Sequence, residues 1–142
     1  MSDPFNLQRF LDAQSGIYAQ ALRELRNGQK RSHWMWFIFP QVTGLGVSYD
    51  SQYYAIRSLL EAQAYLEHLV LGPRLVECSV VVLALEGRTA LEIFGSIDAL
   101  KFRSSLTLFA QVTASGSIFV QALEKYYSGV PDSKTLEILS SI

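Results

Sequence analysis

The sequence predicts an all-α protein, a single-domain irregular orthogonal array of about eight short helices. Three observations lead to this prediction. Residues that start or stop helices recur roughly every 10 to 15 positions along the chain. Between them, apolar residues mostly follow the spacing of a helix rather than that of a strand. No repeat, linker or low-complexity segment divides the 142 residues, so residues 1–142 are expected to form one domain.

The composition is that of a folded protein with little net charge. Hydrophobic residues make up 49% and charged residues 18%, which is not the balance of a disordered chain. A formal net charge of −1 gives no general attraction to nucleic acids or anionic lipids. We expect no membrane span, because no apolar run reaches about 18 residues. With no signal-peptide pattern at the N-terminus, the expected location is the cytoplasm.

The first two helices are predicted from their caps and apolar faces. Asp3 and Pro4 have the order of an N-cap followed by a first-turn proline, and residues 5–11 supply an apolar face. Ser15 is expected to cap a second helix that stops at Gly28. Its inward residues are predicted to be Ile17, Tyr18, Ala21, Leu22 and Leu25, and its outward residues Arg23, Glu24 and Arg26.

The middle of the chain contains a dense aromatic block. Residues 33–39 are apolar on every face, so periodicity does not distinguish a helix from a strand. We predict a short buried helix there, with Trp34 and Trp36 in the core. Residues 42–50 contain two glycines and are predicted to form the longest loop. Ser58 and Glu61 then have the spacing of a capping box for the next helix.

Five more helices are predicted in the second half. Pro73 opens a central helix that is apolar on nearly all sides and ends at Gly87. Thr89 and Glu92 form a second capping box, for a short helix that ends near Gly95. The remaining helices are predicted from Ser96 to about Val112, from Ser115 or Ser117 onward, and from Pro131-Asp132 onward.

Standard catalytic and metal-binding motifs do not occur in the sequence. His33, His68 and Cys78 do not have the spacing of zinc ligands, so no metal is predicted. Cys78 has aliphatic neighbours, which favour a buried and unreactive thiol. Gly44 and Gly46 do not belong to a dinucleotide-binding or P-loop pattern. No cofactor is therefore predicted.

Two polar clusters remain as candidate sites. The first consists of Lys30, Arg31 and His33, and the second of Lys101, Arg103, Ser104, Ser105 and Thr107. Cations and hydroxyl groups commonly hold phosphate or carboxylate, and an adjacent aromatic ring can stack on a flat ligand. Both clusters also have structural explanations. Cations after the second helix would interact with its dipole, and the hydroxyls would bond to their own helix.

The same segments carry a resemblance to a known family. Residues 30–41 (Lys-Arg-Ser-His-Trp-Met-Trp-Phe-Ile-Phe-Pro-Gln), 71–75 and 93–109 resemble the domain of unknown function 1810 family. The resemblance covers nearly the whole chain and implies a small, all-helical bacterial protein, without an established activity. Some members carry the label calpastatin, which denotes a disordered, repetitive inhibitor unlike this compact sequence. One departure is His68-Leu69, where the family pattern has His-Pro.

Two functional hypotheses follow from the sequence. The first is a pocket for a small anionic ligand, such as a nucleotide or an ADP-ribose-like molecule, with His33 as the candidate acid or base if a reaction occurs. Its predicted ligand-binding residues are Lys30, Arg31, His33, Trp34, Tyr53, Lys101, Ser104 and Ser105. The alternative is a protein-interaction or homo-oligomerising module without catalytic activity. It would use the tyrosine pairs Tyr53-Tyr54 and Tyr126-Tyr127, and a homodimer is one form of it.

Overall fold

The computed structural model describes residues 2–142, and this range contains nine α-helices and no β-strand. They are α1 (Gln8–Gln14), α2 (Tyr18–Arg26), α3 (Met35–Ile38), α4 (Tyr49–Tyr53), α5 (Leu59–Glu67), α6 (Leu71–Ala84), α7 (Ala90–Ala110), α8 (Ile118–Tyr127) and α9 (Ser133–Ser141). The all-α prediction is confirmed. None of the helices in the described range combines the length and apolar character that crossing a bilayer requires.

The core lies around α6 and α7. Helix α6 packs against α2, α5 and α8, while α7 packs against α3, α5, α8 and α9. The aromatic block supplies the centre, because Trp34 and Phe39 are almost completely buried and the ring of Phe39 lies 4.9 Å from that of Phe102. Edge-to-face aromatic pairs of this kind stabilise a core beyond their buried area. The predicted short buried helix in residues 33–39 is therefore present as α3.

Most predicted helix starts in the second half are also present. The side chains of Thr89, Ser117 and Asp132 accept backbone N–H groups at the starts of α7, α8 and α9. Thr89 and Glu92 exchange both bonds of a capping box. Gly95, at φ +82°, interrupts the helical dihedrals inside α7, where the sequence predicted a boundary. Each capping contact joins residues that are close together in the sequence, so the sequence alone predicts it.

The N-terminal starts differ from the predictions. Ser15 does not cap α2, because the left-handed turn at Gly16 (φ +76°) moves the helix start to Tyr18. Helix α1 starts at Gln8 rather than directly after Pro4. Asp3 still has a capping role, since its carboxylate accepts the backbone N–H groups of Leu7 and Gln8 at 2.8 and 3.0 Å.

Residues 43–55 form a loop whose two ends are joined by backbone hydrogen bonds. A parallel bridge joins Val42 and Ile56, with the N–H of Thr43 donating to the Ile56 carbonyl at 2.8 Å and the N–H of Ile56 donating to that of Gln41 at 2.9 Å. The loop carries α4, whose N-cap is Ser48. Because both ends are anchored, α4 has a defined position on the surface.

Arg9 anchors the same loop from the opposite side. Its Nη2 forms an ion pair with Oε2 of Glu61 at 2.7 Å and also donates to the carbonyl of Ala55 at 2.9 Å. Its Nε donates to the carbonyl of Tyr53 at 2.8 Å, and Nη1 donates to carbonyls in residues 5–6. A buried guanidinium is tolerated when its donors are satisfied in this way.

Replacing Arg9 with Met is expected to lower the free energy of unfolding by about 3–5 kcal/mol, because the buried carboxylate of Glu61 loses its ion-pair partner. Arg23→Met is the matched control. Arg23 lies exposed on α2, so its loss should change stability by no more than about 0.5 kcal/mol. Urea unfolding followed by circular dichroism measures both. A loss below about 1 kcal/mol for Arg9→Met would contradict the anchoring role.

Candidate functional site

A cleft of about 400 Å³ opens beside the aromatic block. One wall comes from Lys30 and residues 33–37, the second from residues 48–50 at the start of α4, and the third from Asp98 and Lys101 on α7. The volume lies in the usual range of small-molecule pockets, about 300–1,000 Å³. The lining combines ionic groups with aromatic surface, which is the chemistry of a small-ligand site.

Glu24 holds the first wall in place from beneath. It is 7% exposed, and its Oε1 accepts the N–H groups of Arg31 and Ser32 at 2.7 and 3.0 Å and the indole Nε1–H of Trp34 at 3.0 Å. Its Oε2 accepts from the hydroxyl of Ser32 at 2.5 Å and from the amide of Gln20 at 3.1 Å. The predicted outward orientation of Glu24 is wrong, because the segment after α2 folds back over this carboxylate.

These hydrogen bonds keep the Glu24 carboxylate ionised. Burial alone would raise the pKa of Glu24, but the bonds from the Ser32 hydroxyl, the Arg31 N–H and the Trp34 indole lower it to about 2. A carboxylate whose pKa is depressed in the folded state stabilises the fold above its unfolded pKa. That stabilisation disappears as the pH falls through the folded value.

Two lysines converge on Asp98 inside the cleft. The Nζ of Lys30 lies 2.8 Å from Oδ2 of Asp98, and the Nζ of Lys101 lies 3.3 Å from Oδ1. Lys30 also donates to a backbone carbonyl and lies 5.0 Å from the centre of the Trp34 ring. Lys101 lies 4.8 Å from the centre of the Trp36 ring. Side-chain exposure is 8% for Lys30 and 27% for Lys101, so Lys101 is the more accessible cation.

The structure brings four of the predicted ligand-binding residues to one place. They are Lys30, His33, Trp34 and Lys101, and all four border the cleft. Arg31 does not line it, because its side chain is exposed and donates to the Gln29 amide at 3.1 Å. Tyr53 lies in a second groove, beside Arg9 and Arg57.

Ser104 and Ser105 lie inside the protein, not in the cleft. Ser104 donates to the carbonyl of Leu100 at 3.1 Å and to Oδ2 of Asp132 at 2.9 Å, and Ser105 is 1% exposed. Thr107 likewise donates to a carbonyl of its own helix. The two serines were predicted to bind the ligand together with Lys101, but neither lines the cleft, and Ser104 instead contacts Asp132, the N-cap of α9. The structural explanation of these hydroxyls, bonding back to their own helix, is the one observed for Ser104 and Thr107.

Seven of the residues that line the cleft were not among the predicted ligand-binding residues. They are Met35, Trp36, Phe37, Ser48, Tyr49, Asp50 and Asp98. The spacing of Asp98 and Lys101, three residues apart on a helix, was a readable signal for an ion pair. Trp36 was predicted to lie in the core, but it is only partly buried. No sequence signal places Tyr49 and Asp50 here, because the anchored loop of residues 43–55 brings them in.

The two tyrosine pairs have different environments. The hydroxyls of Tyr126 and Tyr127 donate to the backbone carbonyls of Val82 and Ala99, so both bond within the chain. Tyr53 instead stacks on Tyr49 at a ring separation of 5.6 Å, and Tyr49 is 75% exposed. The exposed aromatic surface therefore lies on α4, next to the cleft.

Other reactive groups do not contribute to the site. Burial raises the pKa of Cys78 to about 12, so its thiol stays protonated and unreactive at neutral pH. In the part of the chain that the structure describes, no three His, Cys, Asp or Glu side chains are grouped closely enough to hold a metal ion.

Comparison with known proteins covers nearly the whole chain. The model of a family described as "Protein of unknown function (DUF1810)" matches residues 4–139. The crystal structure of the conserved hypothetical protein Rv1873 from Mycobacterium tuberculosis is 52% identical in sequence and superposes with a TM-score of 0.95. The similarity covers 97% of this chain and 99% of that chain. No curated protein matches the chain. The family match spans all the residues that line the cleft.

Glu24→Gln is expected to flatten the acid dependence of stability. In the unchanged protein, the charged carboxylate stabilises the fold above pH 4.5, and this contribution is lost as the pH falls towards about 2. The loss amounts to about 3 kcal/mol at 1.36 kcal/mol per unit of pKa shift. The amide of the variant does not titrate, so the free energy of unfolding of the variant lacks this pH-dependent contribution.

Urea unfolding at a series of pH values between 5 and 2 measures the difference between the two proteins. Glu137→Gln is the matched control, because Glu137 is exposed on α9 and its loss should leave the acid dependence unchanged. Identical pH profiles for Glu24→Gln and the unchanged protein would contradict the depressed pKa.

Proposed function

The chain belongs to the DUF1810 family, and we propose that it binds a small anionic ligand with a flat ring in the cleft between residues 30–37, α4 and α7. Nucleotides and ADP-ribose-like molecules belong to this ligand class. The proposal rests on one observation. In the open cleft, the ammonium groups of Lys30 and Lys101 both contact the carboxylate of Asp98, and Lys101 also lies against the ring of Trp36.

Lys101 is the group best placed to meet an anion. Its ammonium has three donors, and within residues 2–142 its one ion-pair contact is the 3.3 Å approach to Asp98. The remaining donors are free for a ligand. The partly buried position strengthens a charge interaction relative to bulk water. The cation–π contact with Trp36 also restricts the side chain of Lys101 before binding, so that less conformational entropy is lost when a ligand binds.

The aromatic lining supports the ring of the ligand. Trp36, Phe37 and Tyr49 border the cleft, and each offers a flat apolar face for stacking. His33 is exposed at the same edge and supplies a hydrogen-bonding group whose two nitrogens can donate or accept. If a reaction takes place in the cleft, His33 is the acid or base that the geometry favours.

A protein-interaction module is the second candidate function. Its support is the apolar surface of α4 and the preceding loop, where Val47 is 91% and Tyr49 75% exposed. Exposed aromatic residues of this kind are enriched at interfaces. Sedimentation over a dilution series, with the unchanged protein and Tyr49→Ser, tests self-association. If the protein is monomeric at every concentration, the homodimer is excluded.

Lys101→Gln is expected to weaken ligand binding by at least about tenfold, because a charged hydrogen bond contributes about 1.5–3 kcal/mol. Arg31→Gln removes the same charge from a side chain outside the cleft, and it should leave affinity nearly unchanged. The measurement is thermal unfolding against nucleotides, dinucleotides, sugar phosphates and aromatic carboxylates. Compounds that shift the melting temperature are then titrated by calorimetry.

Tryptophan fluorescence gives an independent readout of the same binding. The chain has two tryptophans, Trp34 and Trp36, and both border the cleft. A ligand in the cleft should therefore change the emission, and Trp36→Phe should reduce that change. Equal losses of affinity for Lys101→Gln and Arg31→Gln, or no thermal shift with any compound, would contradict the proposal.

A further inference from the structure

We infer that Asp98 determines the charge of the ligand, so that the cleft selects anions with a single negative charge over those with two or more. This inference rests on the proposed anion site. Asp98 is placed for the role because its two oxygens face two different lysines, Lys30 at 2.8 Å and Lys101 at 3.3 Å. The carboxylate therefore already neutralises one of the two cations before any ligand arrives.

The ionic groups of the cleft are balanced overall. Lys30 and Lys101 contribute the positive charges, and Asp98 and Asp50 contribute the negative ones. Asp50 lies on an exposed turn of helix, where water and salt screen its charge. The side chain of Asp98 is only 19% exposed. The inner cluster of Lys30, Asp98 and Lys101 thus carries one net positive charge.

Lys30 is not free to turn towards a ligand. Its ammonium is bonded to Asp98 and to the carbonyl of Ser32, and its own N–H donates to the carbonyl of Ile93 at 2.7 Å. The backbone N–H groups of the next two residues, Arg31 and Ser32, donate to the carboxylate of Glu24. The net positive charge of the cluster is therefore available on Lys101 alone.

A second negative charge on the ligand would have no partner in the cluster. It would lose water on entering the cleft and would meet the carboxylate of Asp98, a like charge. One negative charge is instead compensated by Lys101. Within the proposed ligand class, this favours a flat ring with a single anionic group, such as a phosphodiester or a carboxylate. It disfavours phosphomonoesters such as 5′-nucleotides and diphosphates such as ADP-ribose.

The test uses two probes that share a base and a ribose. At pH 8, 3′,5′-cyclic AMP carries one negative charge, while 5′-AMP carries nearly two because the second phosphate pKa is about 6. Calorimetry at fixed ionic strength is expected to show that the unchanged protein binds the cyclic nucleotide at least about tenfold more tightly, a difference of about 1.4 kcal/mol. Asp98→Asn should tighten 5′-AMP more than cyclic AMP and abolish or reverse this preference.

Two further variants check the charge argument. Lys30→Met combined with Asp98→Asn removes the buried pair together and leaves one positive charge on Lys101, so the preference for cyclic AMP should remain. Asp50→Asn makes the same charge change as Asp98→Asn at the exposed rim and should alter the ratio less. If Asp98→Asn does not fold, Lys30→Met gives the decisive ratio, because it leaves Asp98 with Lys101 alone: 5′-AMP should then weaken more than cyclic AMP, and an unchanged ratio overturns the role of Asp98.

The outcomes separate this inference from the proposed function. Equal or tighter binding of 5′-AMP by the unchanged protein, or a ratio unaffected by a folded Asp98→Asn variant, overturns the role of Asp98. The anion site itself stands in that case if Lys101→Gln still weakens binding of both probes. Binding that is insensitive to Lys101→Gln, or no binding of either probe by any variant, overturns the proposed site and this inference with it.

Discussion

The cleft depends on one buried carboxylate that does not line it. Glu24 accepts hydrogen bonds from two backbone N–H groups, an indole, a hydroxyl and an amide. Because a buried charge must be satisfied by donors to remain in the interior, the segment after α2 has one favoured path. That path places Lys30 over the ring of Trp34 and directs it towards Asp98. The position of the ionic cluster thus follows from an interaction beneath the cleft wall.

A second buried charge fixes the opposite wall. Arg9 holds the carbonyls of Tyr53 and Ala55 and pairs with Glu61, which anchors the loop that carries α4. The two walls are therefore positioned by ionised groups in the interior, while the aromatic core of α3 and α7 fills the space behind them. Such groups are well suited to this task because hydrogen bonds to charges are directional and strong. A cleft bounded in this way is preorganised before a ligand binds.

The local features of the fold were predictable, and the long-range ones were not. Thr89 is recognisable as a cap because its partner lies three residues away. Glu24 lies at the margin of the apolar stripe of α2, so helical periodicity predicted that it faces solvent. It is buried because its hydrogen-bond donors come from the segment that follows α2. The burial of Ser104 depends on α9, whose Asp132 lies 28 residues further along the chain. Residue types alone indicated that Lys30 and Lys101 could share a ligand, whereas the fold was needed to show that Asp98 lies between them.

Nitrogen-resolved NMR at a series of acidic pH values tests the central role of Glu24 most directly. The backbone N–H signals of Arg31 and Ser32 and the indole Nε1–H signal of Trp34 report on the three donors that bond to one carboxylate oxygen. With the pKa of Glu24 lowered to about 2, the three signals should stay constant through pH 4.5 and move together only as the pH approaches 2. Movement of these signals at the ordinary glutamate pKa, or three unrelated titrations, would contradict the account.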